Sequence, residues 1–329
     1  MRRRSGPTAL VLFLAALFAV SCATTGPAAT ASGAAPAAGQ AVPGPDTVPG
    51  HDAGGALVLP PAPFLDLTRE DEAFLAARLS RLSWLVYYDE AAGLDSRLAR
   101  LAVGQANRYL QYRESLSVID FDRVAAARKE AGIEPGMSSA AAGRTPAFRR
   151  LCLSLGADVY LELSFTIKSE VRDGKYYAQA RIEARLRDPA TASLLGTIPF
   201  EGQPSISPSS MDAAVTNAVT QAVWLAMPSV TVRVRELLGQ TLRRGLPYEL
   251  VLTGTSDRKV IESFARDLSG RVRGVVSVPA LAGETDLLLF CFLDQASVET
   301  AVREAAAVSG LAASPAVASG RLFRLDLSR

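Results

Sequence analysis

Ala157-Asp158-Val159-Tyr160-Leu161-Glu162-Leu163-Ser164-Phe165-Thr166-Ile167 places an apolar side chain at every second position from Val159 onward. Tyr176 to Arg187 and Ser193 to Phe200 alternate in the same way. A period of two puts one set of side chains on one face of a sheet, so all three stretches read as strands. Arg172-Asp173-Gly174-Lys175 and Asp188-Pro189-Ala190-Thr191 separate them with turn-forming residues, which makes the three strands a meander. Its apolar face needs a cover. Met211 to Met227 supplies one, because Ala214, Val215, Ala218, Val219, Ala222, Val223 and Leu225 form a broad apolar helical face. The helix should lie flat on the sheet.

Upstream, Thr68 followed by Arg69-Glu70-Asp71-Glu72 is a capped, acidic first turn. Phe74, Leu75, Leu79, Leu82 and Leu85 then recur at helical spacing, which predicts one long helix. Leu94 to Tyr112 is a second helix, Leu116 to Asp120 a short apolar strand, Phe121 to Ala131 a helix stopped at Gly132, and Pro146 to Leu155 another helix after a Gly/Ser/Ala-rich loop. Gly132-Ile133-Glu134-Pro135-Gly136 reads as loop punctuation. After Gly245 come a strand at Tyr248–Leu252, a helix at Asp257–Leu268, strands at Val272–Val278 and Asp286–Phe292, a helix at Ser297–Ala307 and a last strand at Leu322–Leu327. That order is βαββαβ. The expected fold class is therefore α+β: a small, mainly antiparallel sheet packed by helices, followed by a ferredoxin-like second domain.

The amino terminus is of another kind. Arg2, Arg3 and Arg4 precede an apolar run from Ala9 to Val20 that stops at Ser21-Cys22, the outline of a signal peptide. The run is too short for a bilayer span, which takes about 20 apolar residues. Ala19-Val20-Ser21-Cys22 resembles the lipobox of bacterial lipoproteins, in which small residues precede a cysteine that is acylated and becomes the new terminus; Ala19 stands where that motif usually has leucine. The resemblance makes Cys22 the lipidation site. Ala23, where an aspartate favours inner-membrane retention in such lipoproteins, points to the outer membrane. From Ala23 to about Pro63 the chain is Ala, Gly, Pro, Ser and Thr with hardly a large side chain before Leu57, too little apolar surface to offset the entropy of ordering. As a flexible tether its roughly 40 residues would span about 35 Å. The expected organisation is a signal peptide over residues 1–21, a lipidated cysteine and tether over 22–63, an α/β domain over 64–244 and a ferredoxin-like domain over 245–329.

The formal charge of +2 is small for 329 residues, and the basic side chains are scattered among acidic ones, so nucleic acid is not an expected partner. Cys152 and Cys291 stand in apolar surroundings and read as buried thiols rather than a disulfide. The single histidine, His51, lies in the tether, so no Ser-His-Asp triad, Cys-His pair or histidine metal site can be assembled in the folded part. No glycine-rich phosphate loop follows a predicted strand, and no cofactor or metal is expected. Asp158 with Glu162 on a strand, or Asp120 with Asp122 at a strand end, are the carboxylate pairs that acid-base chemistry could use. The plainer readings are a surface Glu162, a helix-capping Asp120 and a turn-starting Asp188. Arg149-Arg150 and Arg243-Arg244 could meet an anionic polymer, but solvated helix faces account for them. Trp84, Trp224, Tyr87-Tyr88 and Tyr176-Tyr177 are candidate interface aromatics, with Trp224 assigned to the core and one ring of Tyr176-Tyr177 outward.

Three motifs carry a resemblance between about Leu98 and Met227: Ser117-Val118-Ile119-Asp120 before a helix, Leu155-Gly156-Ala157-Asp158-Val159-Tyr160 opening a strand, and Ala184-Arg185-Leu186-Arg187-Asp188-Pro189-Ala190-Thr191 before Leu194-Leu195-Gly196. The stretch is similar to the α/β domain of the curli-export lipoprotein family, the outer-membrane lipoprotein activators of penicillin-binding proteins and the amino-terminal domain of the Tol-system propeller protein. In that group the domain is a small sheet flanked by helices, without catalytic residues, used for protein contacts in the periplasm. Two departures stand out. The usual strand before the opening helix is not visible, and there is no pair of long amphipathic hairpins of the kind that build a pore. The resemblance implies a non-enzymatic scaffold or binding lipoprotein, held on the periplasmic face of the outer membrane by its acyl chains, with envelope proteins as partners. An enzyme working on envelope polymers through carboxylates, and a subunit of a homo-oligomeric envelope or secretion assembly, are the alternatives.

Overall fold

The computed structural model describes residues 59, 66–88, 95–133, 146–311 and 317–327. The signal segment, Cys22, His51, almost all of the tether and the loop over 134–145 lie outside the described residues.

Helix α1 (Arg69–Leu79) starts as the sequence predicts: the Thr68 hydroxyl accepts from the Asp71 N–H and the Asp71 carboxylate accepts from the Thr68 N–H. It stops at Leu79, earlier than the leucine spacing implies. Strand β1 (Ser83–Tyr88) follows at once, so Leu85 belongs to the strand and Leu82 to the link before it, neither to the helix. Trp84, Leu85, Val86 and Tyr87 are buried in succession because β1 lies inside the sheet with both faces covered. Such a strand shows a continuous apolar run, whose leucine spacing is ambiguous with a helix. The strand missing from the sequence reading is therefore present.

Helix α2 (Ser96–Arg113) crosses to β2 (Ser117–Val118), and α3 (Phe121–Glu130) and α4 (Pro146–Ser154) follow. Strands β3 (Val159–Arg172), β4 (Lys175–Arg187) and β5 (Leu194–Glu201) form the meander, and β6 (Ser205–Ser207) adds to β4. The first sheet runs β2-β1-β3-β4-β5, with β1 parallel to both β2 and β3 and the remainder antiparallel. Asp173 and Gly174, both at positive φ (50° and 68°), make the two-residue turn from β3 to β4.

Helix α5 (Met211–Thr241) covers the meander with Ala214, Ala218, Ala222 and Val223, as expected. It does not end at Pro228. Pro228 is exposed, and the Trp224 carbonyl that loses its donor lies one turn back on the same side. The extra turns bury Val230, Val234 and Leu238, which carry the core forward to Leu242, Leu246 and Phe323. A 3-10 turn (Leu242–Arg244) then enters the second sheet.

That sheet contains β7 (Leu246–Thr253), α6 (Arg258–Ser269), β8 (Gly274–Val278), β9 (Thr285–Cys291), α7 (Gln295–Val308), β10 (Val317–Ser319) and β11 (Leu322–Asp326), in the order β10-β11-β7-β9-β8. The predicted βαββαβ order is there, with one difference. The short β10, invisible in the sequence, pairs antiparallel with β11 and turns it round, so β11 runs parallel to β7. The protein is α+β, with two sheets packed by helices, and one apolar cluster spans both.

Leu59 is partly buried against Leu153, Val278, Leu288 and Phe290. The predicted tether is thus in contact with the folded part before its expected end at Pro63. No helix among the described residues is long and apolar enough to cross a membrane.

Candidate functional site

Asp158 sits just before β3 and is buried. Its Oδ1 accepts from Nε (3.1 Å) and Nη2 (2.6 Å) of Arg78 at the end of α1, and its Oδ2 from the Ser83 N–H (2.8 Å). Arg321, from the turn between β10 and β11, approaches Oδ1 at 3.6 Å and donates to the carbonyls of Ala157 and Pro247. Burial lowers the pKa of Arg321, and the nearby Asp158 carboxylate opposes the shift. One aspartate thus joins α1, β1, β3 and the second sheet.

Glu162 is not on the surface. It is buried on β3 beside Tyr87 of β1, because α3 and α4 cover that face, and it pairs with Arg187 at 3.2 Å. Asp158 and Glu162 therefore share no open cleft; each is engaged with an arginine. Asp158→Asn should accordingly lower stability by about 1–3 kcal/mol, the range for weakening a buried charged hydrogen bond. Equilibrium urea unfolding measures it, and an unchanged midpoint would contradict the structural role.

Asp120 is the cap of α3, accepting from the N–H groups of Asp122 (2.9 Å) and Arg123 (3.4 Å). Asp122 is exposed and 3.6 Å from Arg100. Asp120, Asp122 and Arg100, together with Asn107 and Phe121, line a pocket of about 330 Å³. Asp188 starts its turn by accepting from the Ala190 N–H at 2.8 Å.

Arg149 and Arg150, expected on a solvated helix face, are interior residues. Helix α4 presses both onto the second sheet, where they are buried. Arg149 Nη2 donates to Glu249 on β7 (2.8 Å), Asp286 on β9 (2.9 Å) and the Pro279 carbonyl (3.0 Å). Arg150 Nη2 reaches Asp286 (2.7 Å) and Glu284 (2.6 Å). Glu249 and Asp286 are wholly buried. Burial and the adjacent Glu249 carboxylate push the Asp286 carboxyl up to about 7 against the pull of Arg150. The acidic partners lie more than ninety residues away in sequence, which is why the arginine pair alone gave no sign of them. Arg243 is exposed, while Arg244 lies over the Phe290 ring at 5.4 Å.

Trp84 is core. Tyr87, Tyr88 and Phe121 stack on one another, with Arg128 over Tyr87 at 4.6 Å, so these aromatics serve the interior. Trp224 is half-buried, not core, and packs edge-on against Tyr109. With Gln105, Arg108, Asn217, Thr220 and Gln221 it lines a shallow depression of about 540 Å³. Tyr176 packs against the main core, while Tyr177 shares the opposite face with the exposed Ile206. Cys152 and Cys291 are free and buried; burial raises both thiols, that of Cys291 to about 12.

A second cleft, of about 330 Å³, lies where α1 meets the second sheet, between Arg78 and Arg81 on one side and Leu246, Tyr248 and Arg321 on the other. Arginine pairs flanking apolar walls were not legible as a unit, because the walls come from three separate parts of the chain.

No protein-family model matches the chain, and no curated protein does. Solved structures do. The chain is similar to the lipoprotein GNA1162 from Neisseria meningitidis (14% identity, TM-score 0.31, 47% of this chain and 99% of that one). It is also similar to the C-terminal domain of LpoB from Salmonella enterica (12% identity, TM-score 0.24, 43% of this chain and 98% of that one). A third is the hypothetical protein CT253 from Chlamydia trachomatis (14% identity, TM-score 0.29, 48% of this chain and 97% of that one). Bacterial lipoproteins are thus among the structures it resembles.

Proposed function

We propose that the chain is a non-enzymatic lipoprotein, anchored through acylated Cys22 on the periplasmic face of the bacterial outer membrane, that presents its two sheets to envelope proteins as a binding or scaffold module. One observation carries the reading: Asp158 and Glu162, the carboxylates best placed for acid-base chemistry, are spent on Arg78, Ser83 and Arg187 inside the fold. A carboxylate held this way stabilises structure and is not aimed at a substrate. The lipobox and tether add that the folded part works within a limited radius of one membrane. Crosslinking in cells followed by pulldown tests the reading. Wild type should recover a reproducible envelope partner and Cys22→Ala less of it; recovery of none with either form removes the scaffold role. Labelled palmitate should enter wild type and not Cys22→Ala, and equal labelling of both would end the anchor assignment.

A further inference from the structure

The cleft beside α1 holds more positive than negative charge, and what its charges leave unused points at a ligand. Arg78, Arg81, Arg321 and Asp294 line it, and Asp158 lies behind Arg78: three guanidinium groups against two carboxylates. Both carboxylates are occupied. Asp158 is held by Arg78 and the Ser83 N–H, and Asp294 caps α7 by accepting from the Ser297 N–H at 2.8 Å. The cations are only partly so. Arg78 spends Nε and Nη2 on Asp158, which leaves Nη1 without a partner among the described residues. Arg81 is exposed and its side chain has no partner among the described residues. Arg321, 5% exposed, has an Nε with no acceptor.

The remaining wall is apolar: Phe74, Ala77, Leu246 and Tyr248. The Tyr248 hydroxyl already donates to the Leu293 carbonyl at 2.8 Å, and Tyr248 and Leu246 back the wall from the interior while the half-buried Phe74 and the exposed Ala77 give most of its open surface. A volume of about 330 Å³ lies at the small end of ligand pockets, about 300–1,000 Å³, and suits the end of a chain better than its middle. Guanidinium groups match the two oxygens of a carboxylate in geometry and charge.

We propose that this cleft binds the carboxy terminus of a partner polypeptide, with the terminal carboxylate between Arg81 and Arg78 and an apolar last side chain against Phe74, Leu246 and Tyr248. This rests on the reading of the chain as a protein-binding module and names the part of the partner it takes. The geometry disfavours a phospholipid headgroup, because a cleft of this size with one apolar wall fits a single extended chain end and not the plane of a bilayer.

The test is titration of the full chain, purified in detergent, with an acetylated Ala-Ala-Ala-Phe peptide bearing a free carboxylate, with the same peptide as its carboxamide, and with inorganic phosphate. The free acid should bind saturably, the carboxamide at least tenfold more weakly, and phosphate more weakly than the free acid. Arg81→Gln, which removes no internal contact, should weaken the free acid by about tenfold while leaving the unfolding midpoint in place; Arg108→Gln, outside the cleft, should not weaken it. Equal binding of acid and amide, phosphate binding as well as peptide does, or no effect of Arg81→Gln would overturn the assignment. A failed peptide titration with the cellular partner still recovered defeats the cleft and leaves the scaffold reading; peptide binding with no partner recovered does the reverse.

Discussion

Replacing Arg149 with methionine is expected to destabilise the protein by about 3–5 kcal/mol, read as a lower midpoint in urea unfolding at pH 7. The side chain is of similar length, so packing is largely kept and the lost charge decides the outcome. Arg149 and Arg150 face three carboxylates, Glu249, Asp286 and Glu284, between α4 and the second sheet. Without Arg149 two wholly buried acids share one arginine. Combining Arg149→Met with Glu249→Gln and Asp286→Asn should restore most of the loss, because the uncompensated charge leaves with its partner. A loss below about 1 kcal/mol for the single change would mean the network is solvated.

The same cluster sets a pH dependence. The Asp286 carboxyl titrates near 7 in the folded chain, above an ordinary unfolded value of about 4. Between those values the folded state holds a proton that the unfolded state has released. The contribution is therefore fully present below about pH 4, declines as pH rises, and is gone above about 7. Wild type should lose stability between pH 5 and pH 8 more steeply than Asp286→Asn does. Identical slopes would place the titration elsewhere.

Gly320→Ala should be nearly as damaging, costing more than about 2 kcal/mol, since a left-handed residue with a Cβ already costs about 1–2 kcal/mol. Gly320 has φ +57°, and a Cβ there would lie 2.5 Å from the Ser154 carbonyl oxygen and 2.6 Å from that of Leu153. These are carbonyls at the end of α4, which no later turn of the helix satisfies. The β10–β11 turn donates to both: the Arg321 N–H to Leu153 (2.7 Å), whose carbonyl also accepts from the Gly156 N–H (3.0 Å), and the Ser319 hydroxyl to Ser154 (3.3 Å). Pushing the turn away would release Arg321 from Asp158 as well. Limited proteolysis should then cut near β10 in Gly320→Ala and spare wild type; equal resistance would show that the turn can shift without cost.

What could be read in advance follows from the range of the interactions involved. The meander was legible because alternation from Val159 to Ile167 and the Asp173-Gly174 turn are local patterns. The α1 start was legible for the same reason, with its cap and first turn adjacent in sequence. β1 was missed because Trp84 to Tyr87 is buried on both faces, and a doubly buried strand has no period to detect. The end of α5 was misplaced because Pro228 reads locally as a helix stop, whereas here it is exposed and the packing of Val230, Val234 and Leu238 carries the helix through it to Thr241. Arg149, Arg150 and Glu162 were assigned to solvent because charge favours water unless paired, and their partners are remote or lie under helices. The cleft beside α1 is a further case, its arginines drawn from positions 78, 81 and 321.

By itself, then, the sequence of this protein determined its α+β class, its strand meander and its helix caps, all of which depend on neighbours within a few residues. Only the tertiary structure decided that the two sheets share one core, that a buried cluster of arginines and carboxylates fastens α4 to the second sheet, and that acids offered for chemistry are engaged in holding the fold. The physical reason is desolvation. Whether a charged side chain stays in water, pairs inside or faces a ligand is settled by what the fold brings against it, and the chain's local order carries no record of that.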